Sequence, residues 1–209
     1  MKVFRPLALL GALALLCGIS APSTAADDML TRMIDVSSHP KTLEASIHVD
    51  IALHTFPYIS PSLDGTYYHK DPSKDKIAFD TVPSIAKQFN KIYPRVESPS
   101  RWNEIFVVTP EGDSDGVTMY KLVPRIRGRI DHIDVKVDDK TATISEERWT
   151  YNDGGFALLD QSFTQVDGDF VLKTQTGHLD VPNWKADLNS TFSNYKLNPP
   201  IPDSIFTQD

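Results

Sequence analysis

The sequence predicts a mainly β protein of the α+β class, in which a highly curved antiparallel sheet forms a half-open barrel with short helices laid over it. Three observations support this prediction. One segment alternates apolar and polar residues, a second has the pattern of a hairpin followed by a helix, and a series of further strand-like segments is joined by short turns. Together these segments give about ten strands, and a flat open sheet of that size is uncommon.

The segment from Leu43 to Leu53 has the strongest strand pattern in the chain. Its apolar residues occupy every second position, and they are Leu43, Ala45, Ile47, Val49, Ile51 and Leu53. The positions between them are largely polar. Because successive side chains of a strand point to opposite faces, we expect one face of this strand to be buried.

The stretch from Leu63 to Pro83 is predicted to form a hairpin. Its turn is Asp71-Pro72-Ser73-Lys74, where Asp suits the first turn position and Pro presets φ at the second. The flanking segments Gly65 to Tyr68 and Lys76 to Phe79 have strand composition. The two strands are therefore expected to pair with each other.

A short helix is predicted directly after this hairpin, from Pro83 to Tyr93. Ile85, Phe89 and Ile92 fall at positions i, i+4 and i+7, which places them on one face of a helix. Pro83 suits a helix start, and Pro94 is expected to end it. This apolar face is expected to lie on the sheet.

Seven later segments are predicted to be strands, and turn-rich sequences such as Pro110 to Asp113 and Asn152 to Gly155 separate several of them. The segments are Trp102 to Thr109, Val117 to Val123, Arg129 to Val137, Ala142 to Tyr151, Phe156 to Val166, Phe170 to Gly177 and Trp184 to Leu197. Short connections favour antiparallel neighbours, because a parallel crossover needs a dozen or more residues.

The first 26 residues have the pattern of a secretory signal peptide. Lys2 and Arg5 precede an apolar run, and small residues follow it, so cleavage is expected after Ala25 or Ala26. The mature chain would be a single domain over residues 27–209. Lipid anchoring through Cys17 is the less favoured alternative, because Leu16 stands where lipoprotein signals have a small residue.

An amphipathic helix is predicted at the start of the mature chain. Asp27 and Asp28 suit a helix N-terminus, and the apolar stripe after them is Met29, Leu30, Met33 and Ile34. This helix is expected either to cover the core or to lie across an open end of the sheet.

Composition excludes several kinds of chemistry. Cys17 is the only cysteine, so a chain that has lost its signal has no thiol nucleophile or thiolate metal ligand. The net charge of -7 becomes more negative when Lys2 and Arg5 are removed. A distributed negative charge argues against nucleic acid or a bare anionic membrane as the partner.

Histidines and carboxylates give no dense catalytic or metal motif. His48 with Asp50, and His132 with Asp134, are two residues apart on predicted strands, so each pair would share one strand face. We interpret these pairs as solvated polar faces, and a metal site is not expected. Adjacent Glu146 and Glu147 would point to opposite faces, so they are not expected to form a catalytic carboxylate pair. The sequence has no P-loop and no G-x-G-x-x-G motif, and a cofactor is not expected.

The pattern of strand, basic Pro turn, second strand and short helix over Leu63 to Pro83, and more loosely the segment from Trp149 to Gly168, resembles the LolA/LolB-like outer-membrane lipoprotein carriers and sorting proteins. That resemblance implies a half-open barrel with a helical lid that shelters acyl chains. It also implies an arginine that holds the empty cavity shut, which Arg95, Arg101, Arg125, Arg127 and Arg129 leave unassigned.

Large apolar residues beyond the needs of an ordinary sheet core are the candidate cavity and lid residues. They are Phe56, Phe79, Ile85, Phe89, Ile92, Trp102 and Trp149, with the helix from Pro83 to Tyr93 as the lid. A curved sheet with a helix across its mouth encloses an apolar cavity when the covering side chains do not fill it. A filled core is the alternative.

With the resemblance, these features favour a periplasmic, non-catalytic, monomeric protein. We expect it to bind a lipid or acylated lipoprotein as a carrier or chaperone in the cell envelope, with an envelope receptor protein as a further partner. The main alternative is an envelope protein-binding or sensing module of the same fold with a filled core. A secreted hydrolase is a third hypothesis, although no familiar nucleophile or metalloprotease motif is present.

Overall fold

The structure is a computed structural model that describes residues 24–55, 58–81 and 97–207. In chain order its elements are α1 (Thr24–Ser37), β1 (Thr42–Leu53), β2 (Ser62–Lys70), β3 (Lys74–Phe79), a 3-10 helix (Pro99–Arg101), α2 (Trp102–Ile105), β4 (Phe106–Ser114), β5 (Val117–Pro124), β6 (Ile130–Asp138), β7 (Thr143–Tyr151), β8 (Phe156–Val166), β9 (Asp169–Val181), β10 (Trp184–Leu197) and α3 (Ser204–Thr207). The predicted lid helix lies outside the described residues.

All ten strands belong to one antiparallel sheet of order β3-β2-β1-β10-β9-β8-β7-β6-β5-β4. The sheet does not close on itself, because β3 and β4 remain as its two edges in the described part of the chain. The predicted fold class is therefore confirmed: the protein is mostly β, with an open, ten-stranded sheet consistent with a curved half-open barrel.

The predicted alternation in β1 is confirmed. All six apolar residues of its inner face are buried, from Leu43 to Leu53, whereas His48 and Asp50 on the outer face are exposed. Several of these residues form a core cluster with Leu63, Ala186 and Phe192. Alternation thus places this strand with one face in the interior, as strand geometry requires.

A second core cluster lies under α1. Met29 and Met33 of the helix pack with Trp102 and with buried residues of β5 to β7, including Val135 and Trp149. The first helix therefore covers the core, although it starts at Thr24, three residues before the predicted acidic start. Within the described ranges no helix combines the length and apolar character needed to cross a bilayer.

The strand predicted from Trp102 to Thr109 is wrong at its start. Pro99 begins a 3-10 turn and Trp102–Ile105 continues it as α2, so that β4 begins only at Phe106. Proline suits the first position of a helical turn, and this local preference was missed.

The turn predicted from Pro110 to Asp113 is also wrong. These residues lie within β4, and the register shifts between Pro110 and Gly112, where the glycine has a φ of 111°. β4 is an edge strand, which tolerates a proline without an N–H and a local bulge. The chain reverses instead at Asp115 and Gly116.

Candidate functional site

A cavity of about 300 Å³ lies between α1 and the inner face of the sheet. It is at the end of the sheet where the odd-numbered strands begin, and it touches both core clusters. Its apolar lining includes Met33, Val36, Leu43, Tyr67, Ile77, Ile144, Phe163, Phe170, Leu172 and Phe192. Its polar lining includes His39, His69, Asp75, Glu97, Gln161 and Gln175.

The helix α1 forms one wall of the cavity. Met33 and Val36 are three residues apart, so they lie on the same helix face and both point toward the sheet. Two long-range hydrogen bonds hold the helix in place: Arg32 Nη2 donates to Asp139 O at 3.0 Å, and Tyr120 Oη donates to Ala26 O at 2.6 Å. The helix is thereby tied to β5 and to the turn after β6.

Aromatic and aliphatic side chains of β8, β9 and β10 form the opposite wall. Phe163 and Leu172 are directly paired across β8 and β9. Phe192 of β10 meets the Tyr67 ring edge to face, with ring centroids 5.5 Å apart. Such a wall favours an apolar ligand, because burying apolar surface is the main source of binding energy in a site of this kind.

A polar cluster lies at one side of this cavity, on the β2–β3 hairpin. The Tyr67 hydroxyl donates to Asp75 Oδ1 at 2.5 Å, and His69 Nδ1 lies 2.9 Å from the same oxygen. Burial raises the pKa of Tyr67 well above its ordinary value, and the charge of Asp75 adds to the effect. The phenol therefore stays neutral and keeps donating its O–H to Asp75.

Three of the predicted cavity residues are described, and none of them lines this cavity. Trp102 and Trp149 are buried and border a separate void of about 10 Å³. Phe79 packs against the core cluster of β1 and β10. Phe56, Ile85, Phe89 and Ile92 lie outside the described residues, so the role of the whole set in cavity and lid stays a prediction.

The small void contains a buried carboxyl group. Glu147 is 1% exposed; its Oε2 accepts a hydrogen bond from Trp149 Nε1 at 3.0 Å, and its Oε1 has no partner. Burial raises the pKa of Glu147 to about 7, and the bond from Trp149 opposes that shift only in part. This carboxyl group therefore takes up a proton near neutral pH.

The two histidine pairs singled out in the sequence lie on the outer face of the sheet. His48 Nε2 is 3.3 Å from Asp50, and His132 Nε2 is 3.3 Å from Asp134, so each pair does share one strand face. The hydrogen bond with Asp64 raises the pKa of His48. In the described ranges, no group of three or more His, Cys, Asp or Glu side chains is arranged to hold a metal ion.

The hairpin residues of the cavity were missed by the sequence analysis, although a signal was present. The register places Gly65 opposite Phe79, Tyr67 opposite Ile77 and His69 opposite Asp75. The predicted turn fixes these pairs once its centre is known. Tyr67 and His69 are two residues apart and therefore share one strand face. A turn with a known centre thus predicts that His69 pairs with Asp75 next to Tyr67.

Comparison with known proteins gives fold-level similarity. No protein-family model and no curated protein sequence matches the chain. A DUF1329 family protein from Desulfovibrio piger superposes with a TM-score of 0.66 and 12% identity, covering 88% of this chain and 97% of that one. A LolA superfamily protein from Nitrosomonas europaea gives a TM-score of 0.61 and 11% identity, covering 88% and 98%.

The chain has a LolA-like fold. A third structure, a candidate outer membrane lipoprotein-sorting protein domain from Vibrio parahaemolyticus, agrees with this: the TM-score is 0.61 at 12% identity, over 87% of this chain and 94% of that one. The resemblance proposed from Leu63 to Pro83 is thus confirmed at the level of the fold.

Proposed function

We propose that this LolA-like protein binds a lipid or the acyl chains of a lipoprotein in the cavity between α1 and the sheet, as a noncatalytic carrier or chaperone of the periplasm. The supporting observation is the apolar lining of the 300 Å³ cavity, which both core clusters leave unfilled. This volume is at the lower end of the range of about 300–1,000 Å³ for small-molecule sites. It suits part of an acyl chain.

The proposed chemistry of binding is noncovalent. Each methylene group transferred from water contributes about 0.8 kcal/mol, so chain length would set affinity. The cluster of Tyr67, His69 and Asp75 would contact the polar end of the ligand. Because the Tyr67 O–H and the His69 Nδ1–H face Asp75, the phenol oxygen and His69 Nε2 would accept hydrogen bonds from N–H or O–H groups of the ligand. No bond is made or broken, so release requires a shift of the covering elements or a receptor of higher affinity.

Export and a lid complete the proposal. Residues 1–26 would act as the signal peptide, residues 27–209 as a single periplasmic domain, and the segment from Pro83 to Tyr93 as a movable cover.

Replacing Phe89 or Ile92 with a charged residue should then reduce the lipid that copurifies while the circular dichroism of the sheet is kept. Unchanged lipid content would contradict the lid.

The decisive experiment uses two adjacent residues of β9. Leu172 lines the cavity, whereas Lys173 is exposed on the outer face. The protein should be purified from the periplasm without detergent and examined by native mass spectrometry and organic extraction. We expect bound lipid in the wild type and in Lys173→Asp, and its loss in Leu172→Asp, because a carboxylate in the cavity opposes acyl burial.

The same measurement distinguishes the alternative function. An empty wild-type protein that also refuses added acylated ligand would contradict the carrier proposal. A protein-binding module of the envelope would then be favoured, and affinity capture of an envelope protein without extractable lipid would support it. Circular dichroism of each variant verifies that the sheet is intact.

A further inference from the structure

A basic loop with an apolar tip connects β5 to β6. Arg125, Arg127 and Arg129 are three of the eight arginines of the chain, and they fall within five residues of a protein of net charge -7. Ile126 between them is 86% exposed, the largest value among the exposed large hydrophobic residues of the described chain. We call residues 125–129 the arginine loop.

Both ends of the arginine loop are fixed to neighbouring elements. At its start the Arg125 backbone N–H donates to Ile105 O at 2.9 Å, and Arg125 Nε donates to Asn103 O at 3.2 Å. At its end, Asn152 Nδ2 donates to Gly128 O at 2.8 Å. These contacts restrict the loop before a partner binds, so less conformational entropy is lost on binding.

The charges of the loop are only partly compensated. Arg129 forms an ion pair with Asp153 at 3.2 Å and lies over the Tyr151 ring at 4.9 Å. In the described ranges no carboxylate pairs with Arg125 or Arg127. The Arg127 guanidinium and the Nη groups of Arg125 are thus available to bind external oxygens, and guanidinium groups suit phosphate in particular.

More exposed apolar side chains lie at the same end of the sheet. Val107 and Val123 are directly paired across β4 and β5, and both are exposed. Tyr58 and Ile59 are exposed in the β1–β2 connection. Because all odd-numbered strands run in the same direction, the β1–β2 and β5–β6 connections lie at the same end of the sheet, opposite to the end that holds the cavity.

We propose that this end of the protein docks on the surface of a membrane that contains anionic lipid, with the arginine loop on the phosphates and Ile126 in the interfacial region. A protruding tip needs a matching pocket on a protein partner, but a bilayer accepts any convex shape. Apolar insertion and basic residues act together at such surfaces. The negative charge of the remaining molecule would repel other orientations, so docking would keep the cavity end away from the membrane.

Vesicle flotation tests this proposal with the full mature protein. The probes are vesicles of equal parts phosphatidylglycerol and phosphatidylcholine, compared with vesicles of phosphatidylcholine alone. We expect binding to the anionic vesicles at low salt and weaker binding at high salt. Arg127→Glu should reduce the vesicle affinity about tenfold or more, because it removes one attraction to the anionic surface and adds a repulsion. Ile126→Asp should reduce it similarly, because a carboxylate replaces the apolar side chain that enters the interfacial region.

Lys173→Glu is the matched control, since it makes the same charge change on the exposed outer face of β9, away from the loop. It should bind vesicles like the wild type. Absence of binding to anionic vesicles, or equal binding by the wild type and both loop variants, would overturn the proposal. Loss of an envelope protein cross-link in the loop variants, without any vesicle binding, would instead assign the loop to an acidic protein. Lipid content of the cavity is measured separately, so the carrier proposal stands or falls independently.

Discussion

At the scale of single residues, Glu147 places an acidic side chain, 1% exposed, inside the core. It lies beside Trp149 and Trp102 with one oxygen unpaired. An ionised carboxylate in such a site loses its hydration without a cation to compensate it. The native protein therefore favours the protonated form, which makes its stability depend on pH.

The direction of that dependence follows from the two pKa values. Burial raises the pKa of Glu147 from 4.5 to about 7, so between these values the native state binds more protons than the unfolded state. Stability should fall as pH rises through this window, by on the order of 3 kcal/mol in total. Glu147→Gln, which stays neutral, should lose this component, and urea unfolding at pH 5 and at pH 8 measures it.

Glu146→Gln is the natural control for that experiment. Glu146 is adjacent in sequence but points outward, and its carboxylate pairs with Lys136 at 2.9 Å. This variant should keep the wild-type dependence of stability on pH. If Glu147→Gln also keeps it in full, the carboxyl group is not the source of the effect.

The cavity rim shows how one carboxylate can organise neighbouring polar groups. Asp75 accepts from the Tyr67 hydroxyl and lies within hydrogen-bonding distance of His69. At the edge of an apolar cavity these polar groups lose part of their contact with water. The contacts with Asp75 compensate for that loss. Their contact with a ligand head group remains part of the proposal.

At the scale of elements, the β2–β3 hairpin depends on a close approach at Gly65. A Cβ added there would lie 2.5 Å from Ala78 O and 2.9 Å from Phe79 Cα. Both of these atoms belong to the β3 backbone, so only displacement of that strand relieves the contact. Gly65→Ala should therefore weaken the pairing of the two strands and disturb the cavity wall at Tyr67 and Ile77.

We expect Gly65→Ala to lower the free energy of unfolding by about 1–3 kcal/mol, as overpacked sites do. Hydrogen exchange of the β3 amides should become faster. Gly128→Ala makes the same substitution where nothing lies within 4 Å of the added Cβ. It should leave both quantities near their wild-type values, and an equal effect of the two substitutions would refute the steric explanation.

The C-terminal tail is a second element tied to this hairpin. Asp203 pairs with Lys70 at 2.7 Å and with Lys74 at 3.1 Å, and Ile201 is buried. Lys70 Nζ also donates to Ile201 O at 3.3 Å. The prolines near this tail stiffen it, but these contacts determine where it lies.

At the scale of the whole molecule, the start of the mature chain matters for packing. Ala26 is buried and its carbonyl group accepts the hydrogen bond of Tyr120 at 2.6 Å. Cleavage after Ala25 keeps this acceptor, whereas cleavage after Ala26 removes it and leaves a buried hydroxyl unpaired, at a cost of about 1–3 kcal/mol. A chain that begins at Ala26 should therefore be more stable than one that begins at Asp27 by about this amount.

Urea unfolding of two chains, one beginning at Ala26 and one beginning at Asp27, measures this difference. Equal free energies of unfolding would contradict the role of the Ala26 carbonyl group. Tyr120→Phe is a useful companion, because it removes the same hydrogen bond without altering the cleavage site. It should lower the free energy of unfolding by about 1 kcal/mol.

The sequence by itself determined the strand pattern, the antiparallel class and the half-open sheet. Period-two alternation in β1 and the turn predicted at Asp71 to Lys74 are local signals, and the structure pairs β2 with β3 around that turn, with Lys74 already in β3. Local signals failed at Trp102 and at Pro110, where a helical turn and a bulge in an edge strand replaced the expected strand and turn.

Only the tertiary structure decided which side chains surround the cavity. Met33 comes from α1, Tyr67 from β2, and Leu172 and Phe192 from β9 and β10. The order of the strands and the packing of α1 on the sheet bring these residues together. The net charge of -7 is a sum over the whole chain, so it does not indicate the local cluster of arginines in the arginine loop. A cavity and a surface patch are properties of distances between elements, and these distances are set by packing, which no single segment encodes.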